Sequence, residues 1–108
     1  MLYELRIYHC MPGKLPAVVT RFETVTVALF AKHGIQPVGF WTVAIGESNA
    51  DFYYILKWDS LDDREKKFAA FQADPAWITA RAKSEEGGPL IASFSNSILT
   101  PTKFSALK

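Results

Sequence analysis

Hydrophobic and polar residues alternate from the first positions of the chain. Tyr3, Leu5 and Ile7 fall on one side and Glu4, Arg6 and Tyr8 on the other, a period of two that predicts a strand over residues 2–9. Cys10-Met11-Pro12-Gly13 breaks the pattern, because Pro-Gly is a turn signal. From Lys14 to His33 the spacing changes to three and four, through Leu15, Val18, Val19, Phe22, Val25, Leu29 and Phe30, which predicts one long amphipathic helix. Pro16 lies in its first turn, where a missing N–H costs nothing, and Gly34 follows as a helix-ending residue. The β-branched run Thr24-Val25-Thr26-Val27 is the weak point of that helix. Strands over Ile35–Ile45 and Asp51–Trp58, joined by the loop 46–50, form a hairpin, and Pro37 gives the first of them an irregular or edge start. Ser60 with Asp63 resembles a capping box, and Leu61, Arg64, Phe68 and Phe71 mark the stripe of a second helix. Asp74-Pro75 restarts a short helix carrying Trp77, Ile78 and Arg81. After the break at 85–89, a last strand falls within Leu90–Thr100, from about Ser93, and Pro101 stops it. The tail 102–108 is expected to be loose.

Strand, helix, strand, strand, helix, strand is the ferredoxin-like βαββαβ order of an α+β domain. Right-handed crossovers place both helical regions on one face of a four-stranded antiparallel sheet, leaving the other face bare. In a monomer that face should be polar, yet Val38 to Ile45 and Phe52 to Leu56 are apolar on both parities. A bare apolar face predicts an interface, and the simplest partner is a second copy, giving a homodimer with a barrel-like sandwich of two sheets.

Composition narrows the functional classes. The chain of 108 residues is a single domain, 1–108, with its core over about 2–100. A net charge of +1 lacks the basic footprint of a nucleic-acid binder, so no nucleic-acid partner is expected. No apolar run approaches the roughly 18 residues of a membrane span. Glu4 appears where a leader would be basic and apolar, and Cys10 stands alone, so a cytoplasmic, reducing location is expected. The two histidines are far apart and lack HxH or HExxH spacing, and neither GxGxxG nor GxxxxGK occurs; no metal and no cofactor is expected. Aromatic residues make up 14% of the chain, enough to fill a core and still line a pocket or an interface.

Six residues beside His33 are candidates for a site. His33 sits where a helix hands over to a strand and is the candidate catalytic group, a general base at a pocket mouth. The plainer alternative is a cation ending the helix. Glu4, Arg6 and Tyr8 share a strand face; Arg6 could anchor an anionic ligand with Glu4 holding it in place, or the two could form a desolvated ion pair. Trp41, Tyr54 and Trp58, with Tyr53 and Trp77, could wall an aromatic pocket or fill core and interface. The expected pocket lies between the sheet and the first helix, with Leu29, Phe30 and His33 on its wall and Trp41 and Tyr54 nearby.

Tyr3 to Tyr8 followed by Pro12 to Leu15, then Lys32-His33-Gly34, Val38 to Trp41, Ile45-Gly46, Tyr54 to Leu61 and Asp74 to Trp77, together resemble the NIPSNAP family domain in order and spacing. The resemblance covers about residues 2–100. It implies a dimeric α+β barrel, a fold also used by cofactor-free monooxygenases and haem-degrading enzymes. NIPSNAP members have no settled activity, so the resemblance implies fold more than function. Two functions follow: a homodimer binding a small, aromatic or anionic molecule between sheet and helices, oxygenase-like and cofactor-free, or a non-catalytic dimerisation module. A cavity of a few hundred cubic ångströms with converging His or Arg favours the first, and a solid core the second.

Overall fold

The computed structural model describes residues 1–108. Strand β1 (Leu2–Cys10) is followed by helix α1 (Leu15–Arg21), a π-helical stretch (Phe22–Thr26) and helix α2 (Val27–Lys32). Then come β2 (Gln36–Thr42), β3 (Asp51–Trp58), α3 (Leu61–Ala73), α4 (Pro75–Ser84) and β4 (Ile91–Leu99). The sheet runs β2-β3-β1-β4, antiparallel throughout, which is the ferredoxin-like arrangement.

The predicted long helix forms, but not as a uniform α-helix. Its β-branched segment takes the wider π turn, in which the Val27 N–H reaches back to the Phe22 carbonyl. Thr24 and Thr26 add side-chain bonds to the carbonyls of Thr20 and Arg21. Gly34, at φ +71, ends the helix as expected. Ser60 caps α3 through the Asp63 N–H, and Asp74 caps α4 through the Ala76 N–H. Two strand limits differ from the sequence pattern. β2 stops at Thr42, because residues beyond it have no partner on β3, and β4 starts at Ile91. The tail carries no regular structure, yet it returns to the sheet: the Tyr3 hydroxyl donates to the Lys108 carbonyl at 3.2 Å.

A bulge decides which residues face inward. Pro37 pairs with Leu56 and Gly39 with Ile55, so Val38 is an extra residue in β2. Beyond it Phe40 turns towards the helices and Trp41 towards the free face. The helix-facing core holds Phe52, Tyr54, Leu56 and Trp58 of β3 against Val18, Phe22, Phe30 and Phe71. The free face carries Leu5, Ile7, Tyr53, Ile55 and Trp41, and Trp41 is 49% exposed. No helix is long and apolar enough to cross a membrane.

Candidate functional site

The helices pack chiefly over β2 and β3. The inner side of β1 and β4 is therefore only partly covered, and Phe94 of β4 remains 55% exposed although it faces inward. The result is a cleft of about 1090 Å3 between that part of the sheet and the π stretch, α3 and α4. Tyr8, Tyr54 and Phe94 line its sheet side, Phe22 and Thr26 the π stretch, and Trp77 the α4 side. The wide turn supplies Phe22 and Thr26 at its two ends, so the backbone irregularity sits on the cleft wall.

Beneath the cleft lies a fully buried carboxylate. Glu4 accepts from Arg6 Nη1 at 2.9 Å, from Trp58 Nε1 at 3.0 Å and from Asn96 Nδ2 at 2.9 Å. It also takes both side-on donors of Arg64, Nε at 2.8 Å and Nη2 at 3.1 Å. Burial opposes its charge, but the hydrogen bonds from Arg64 and Asn96 and the charge of Arg6 outweigh it and hold its pKa at about 2. Arg6 passes the network upward. Its Nε donates to the Tyr54 hydroxyl at 2.7 Å, and its guanidinium lies 5.1 Å from the ring centres of both Phe68 and Phe94. Burial works against the Arg6 charge, yet Tyr54, Tyr8 and Glu4 raise its pKa further.

The two tyrosine hydroxyls stand 2.8 Å apart. One proton bridges them; the other has no acceptor in the chain and is available to a group in the cleft. Burial, then the neighbouring Tyr8, pushes the Tyr54 pKa well up, so Tyr54 keeps its proton. Across the cleft, Arg21 lies over the Trp77 ring at 5.3 Å and uses only Nη1, towards Ser84 at 3.1 Å and Glu85 at 3.4 Å.

The structure gathers part of the expected site. Glu4, Arg6, Tyr8, Tyr54 and Trp58 form one connected group; Arg6, Tyr8 and Tyr54 line the cleft, and Glu4 and Trp58 lie behind it. Phe30 also lines it, as expected. Trp41 does not join Tyr54, because the Val38 bulge turns it to the other face, where its ring lies across Gly39 within 2.8 Å of a Cβ built there. There it borders a separate groove of about 490 Å3 with Tyr53 and Ile55. His33 is not on the cleft wall. It caps α2, and its Nε2 lies 2.7 Å from Asp74 Oδ2, which Lys32 also engages at 2.8 Å. Arg64, Asn96 and Arg21 are members that the pattern of the sequence passes over or leaves without a role. No three metal-ligating side chains are gathered anywhere.

The family model for NIPSNAP matches residues 3–106. The chain belongs to the NIPSNAP family. Among solved structures, this NIPSNAP chain is similar to a NIPSNAP family protein of unknown function from Agrobacterium tumefaciens. The two are 31% identical over 100% of this chain and 94% of that one, with a TM-score of 0.87. A NIPSNAP-like domain protein from Burkholderia xenovorans is 27% identical, covering 96% of this chain and 87% of its own, at a TM-score of 0.84. A protein of Nitrosomonas europaea proposed to be an antibiotic biosynthesis monooxygenase shares the fold at 12% identity and a TM-score of 0.63, over 94% and 98% of the chains. No curated protein matches the sequence.

Proposed function

We propose that this NIPSNAP domain is a homodimer that binds a small aromatic or anionic molecule in the cleft between sheet and helices. The observation that carries this reading is the cleft itself. Its volume of about 1090 Å3 is ample for a drug-sized ligand, and its walls combine flat aromatic rings with three arginines, Arg6, Arg21 and Arg81, and a spare tyrosine proton. A chain acting only through its surface has no need of a charged network buried under an open cleft. The second copy would cover the apolar free face of the sheet and leave the cleft, on the opposite face, open. Binding fits the residues better than oxygenase-like chemistry does, since His33 is tied to Asp74 away from the cleft and Tyr54 is held protonated.

A thermal-shift screen of flat aromatic acids, quinones and haem tests the reading. A ligand at 100 times its Kd adds about 2.7 kcal/mol, roughly 10 °C or more for a chain of this size. Ala92 lines the cleft from the edge strand, and Ala92→Trp should remove the shift while the protein stays folded. No shift with any of the three classes, or a shift that survives in Ala92→Trp, would overturn it.

A further inference from the structure

A guanidinium only donates hydrogen bonds, and this fixes the direction of the chain of bonds that starts at Arg6. Arg6 Nε donates to the Tyr54 hydroxyl at 2.7 Å, which takes one lone pair of that oxygen. Tyr54 is fully buried, and the acceptor for its own proton is the Tyr8 hydroxyl at 2.8 Å. The reverse direction would strand a proton inside the core, which costs more than leaving one free on the half-buried Tyr8. The bond therefore runs from Tyr54 to Tyr8. Arg6 Nη2, at 3.5 Å, donates to the same Tyr8 oxygen. Tyr8 thus accepts from two sides, and its own O–H is left without an acceptor in the chain. The groups that surround the Tyr8 side chain, Arg6, Phe22, Tyr54 and Phe94, all line the cleft.

From this one-way relay we infer that the cleft takes an aromatic hydroxy compound in its ionised form, the phenolate oxygen seated on the Tyr8 hydroxyl. The inference rests on the cleft being a binding site. Charge selects the ionised form. Behind the tyrosines a single carboxylate, Glu4, is shared by Arg6 and Arg64, so the buried network holds two cations against one anion. Glu65, the other partner of Arg64, is 73% exposed, and its charge is screened by water. Of the remaining charged groups lining the cleft, Arg21 and Arg81 are positive and Glu85 alone is negative. A relay that begins on a cation polarises each hydroxyl in turn and strengthens the last donor. Burial, then Tyr8, keeps Tyr54 protonated, so the relay retains its middle member. The rings of Phe22 and Phe94 each lie 5.9 Å from the Tyr8 ring centre, and Phe94 is 55% exposed, so a flat group whose oxygen meets Tyr8 has apolar surface beside it. A neutral phenol is the poorer guest. Its proton finds the Tyr8 oxygen already engaged from two sides, and its oxygen accepts only an uncharged bond.

Absorbance and calorimetric titrations with 3,5-dichlorophenol, and with 3,5-dichlorotoluene as a probe of the same outline without the oxygen, test the assignment. The phenolate absorbs at longer wavelength than the phenol. Just below the probe's ordinary pKa, wild-type protein should raise the phenolate band, as expected for about tenfold tighter binding of the ionised form. Affinity for the dichlorophenol should rise with pH through its ionisation, and affinity for the dichlorotoluene should not. Tyr8→Phe keeps the ring and removes the hydroxyl, so most of the gain in the phenolate band should go. No phenolate band at saturation, or one undiminished in Tyr8→Phe, would overturn the phenolate assignment and leave the cleft reading intact. Should Tyr8→Phe fail to fold, the wild-type pair decides: dichlorotoluene binding as tightly as the phenolate overturns the assignment. If neither compound binds, the assignment fails as well. If both bind and Ala92→Trp does not block them, the cleft reading fails with it.

Discussion

Glu4 cannot be removed alone without stranding its donors. Four side chains converge on it, and two of them are arginines with little access to water. Breaking such a cluster from one side costs about 3–5 kcal/mol, because the remaining charge stays desolvated. Glu4→Gln and Arg6→Met should each destabilise strongly, and the double variant should lose clearly less than the two losses added. Chemical denaturation of the four proteins measures this, and additive losses would show that the two residues do not act as a pair. The same carboxylate sets the acid limit. Its folded pKa of about 2 lies below its ordinary 4.5, so its stabilisation is complete above the ordinary value and disappears as pH falls towards 2. That difference corresponds to roughly 3 kcal/mol. Glu4→Gln should therefore flatten the fall of stability between pH 5 and 2, and an unchanged acid limb would place its origin elsewhere. The alternation of β1 is enough to put Glu4, Arg6 and Tyr8 on one face. Asn96, 92 residues away, could not be found that way, since a lone amide in a Ser-rich edge strand looks like any solvated residue.

At the scale of elements, one aspartate ties three helical ends together. Asp74 caps α4, receives Lys32 and His33 from the end of α2, and terminates α3. Hydrogen bonds from Lys32 first, then from His33 and the Ala76 N–H, hold its pKa below the carboxylate range. Ser60, by contrast, only caps α3. Ser60→Ala should cost about 1 kcal/mol, a cap and nothing more. Asp74→Ala should lower Tm further than that, and Asp74→Asn, which keeps the cap but not the charge, should fall between the two. Equal Tm losses for both alanine variants would mean that the Lys32 and His33 contacts add nothing. The Asp-Pro step marks this junction in the sequence, and the cap follows from it. Its bond to His33 does not, because nothing local tells a helix-ending histidine to seek a residue 41 positions on. The π turn is a similar case: the Thr-Val run shows that the helix is weak there, but widening it rather than breaking it depends on Phe22 and Thr26 finding places against the sheet.

For the whole molecule, the side of the sheet that stays bare was the least legible feature. Both parities of the hairpin are apolar, so the pattern alone could not choose between Phe40 and Trp41; the Val38 bulge makes the choice. The outcome is a free face with Trp41, Tyr53, Ile55 and Leu5 around an open groove, while the opposite face already has its helices. Face-to-face packing of two such sheets would remove these side chains from water at about 25 cal/mol per Å2 of apolar surface. The proposed homodimer therefore predicts a mass twice the 12.1 kDa of one chain in sedimentation at micromolar concentration. Trp41→Asp and Tyr53→Asp place an unpaired charge in that interface, at a cost of several kcal/mol, and should yield monomers. Both residues lie outside the helix-facing core, so circular dichroism should remain that of a folded α+β chain. The cleft lies on the other face, so a folded monomeric variant should keep its affinity for any cleft ligand. A wild-type protein that sediments as a monomer would remove the homodimer while leaving the cleft to be judged on its own titrations.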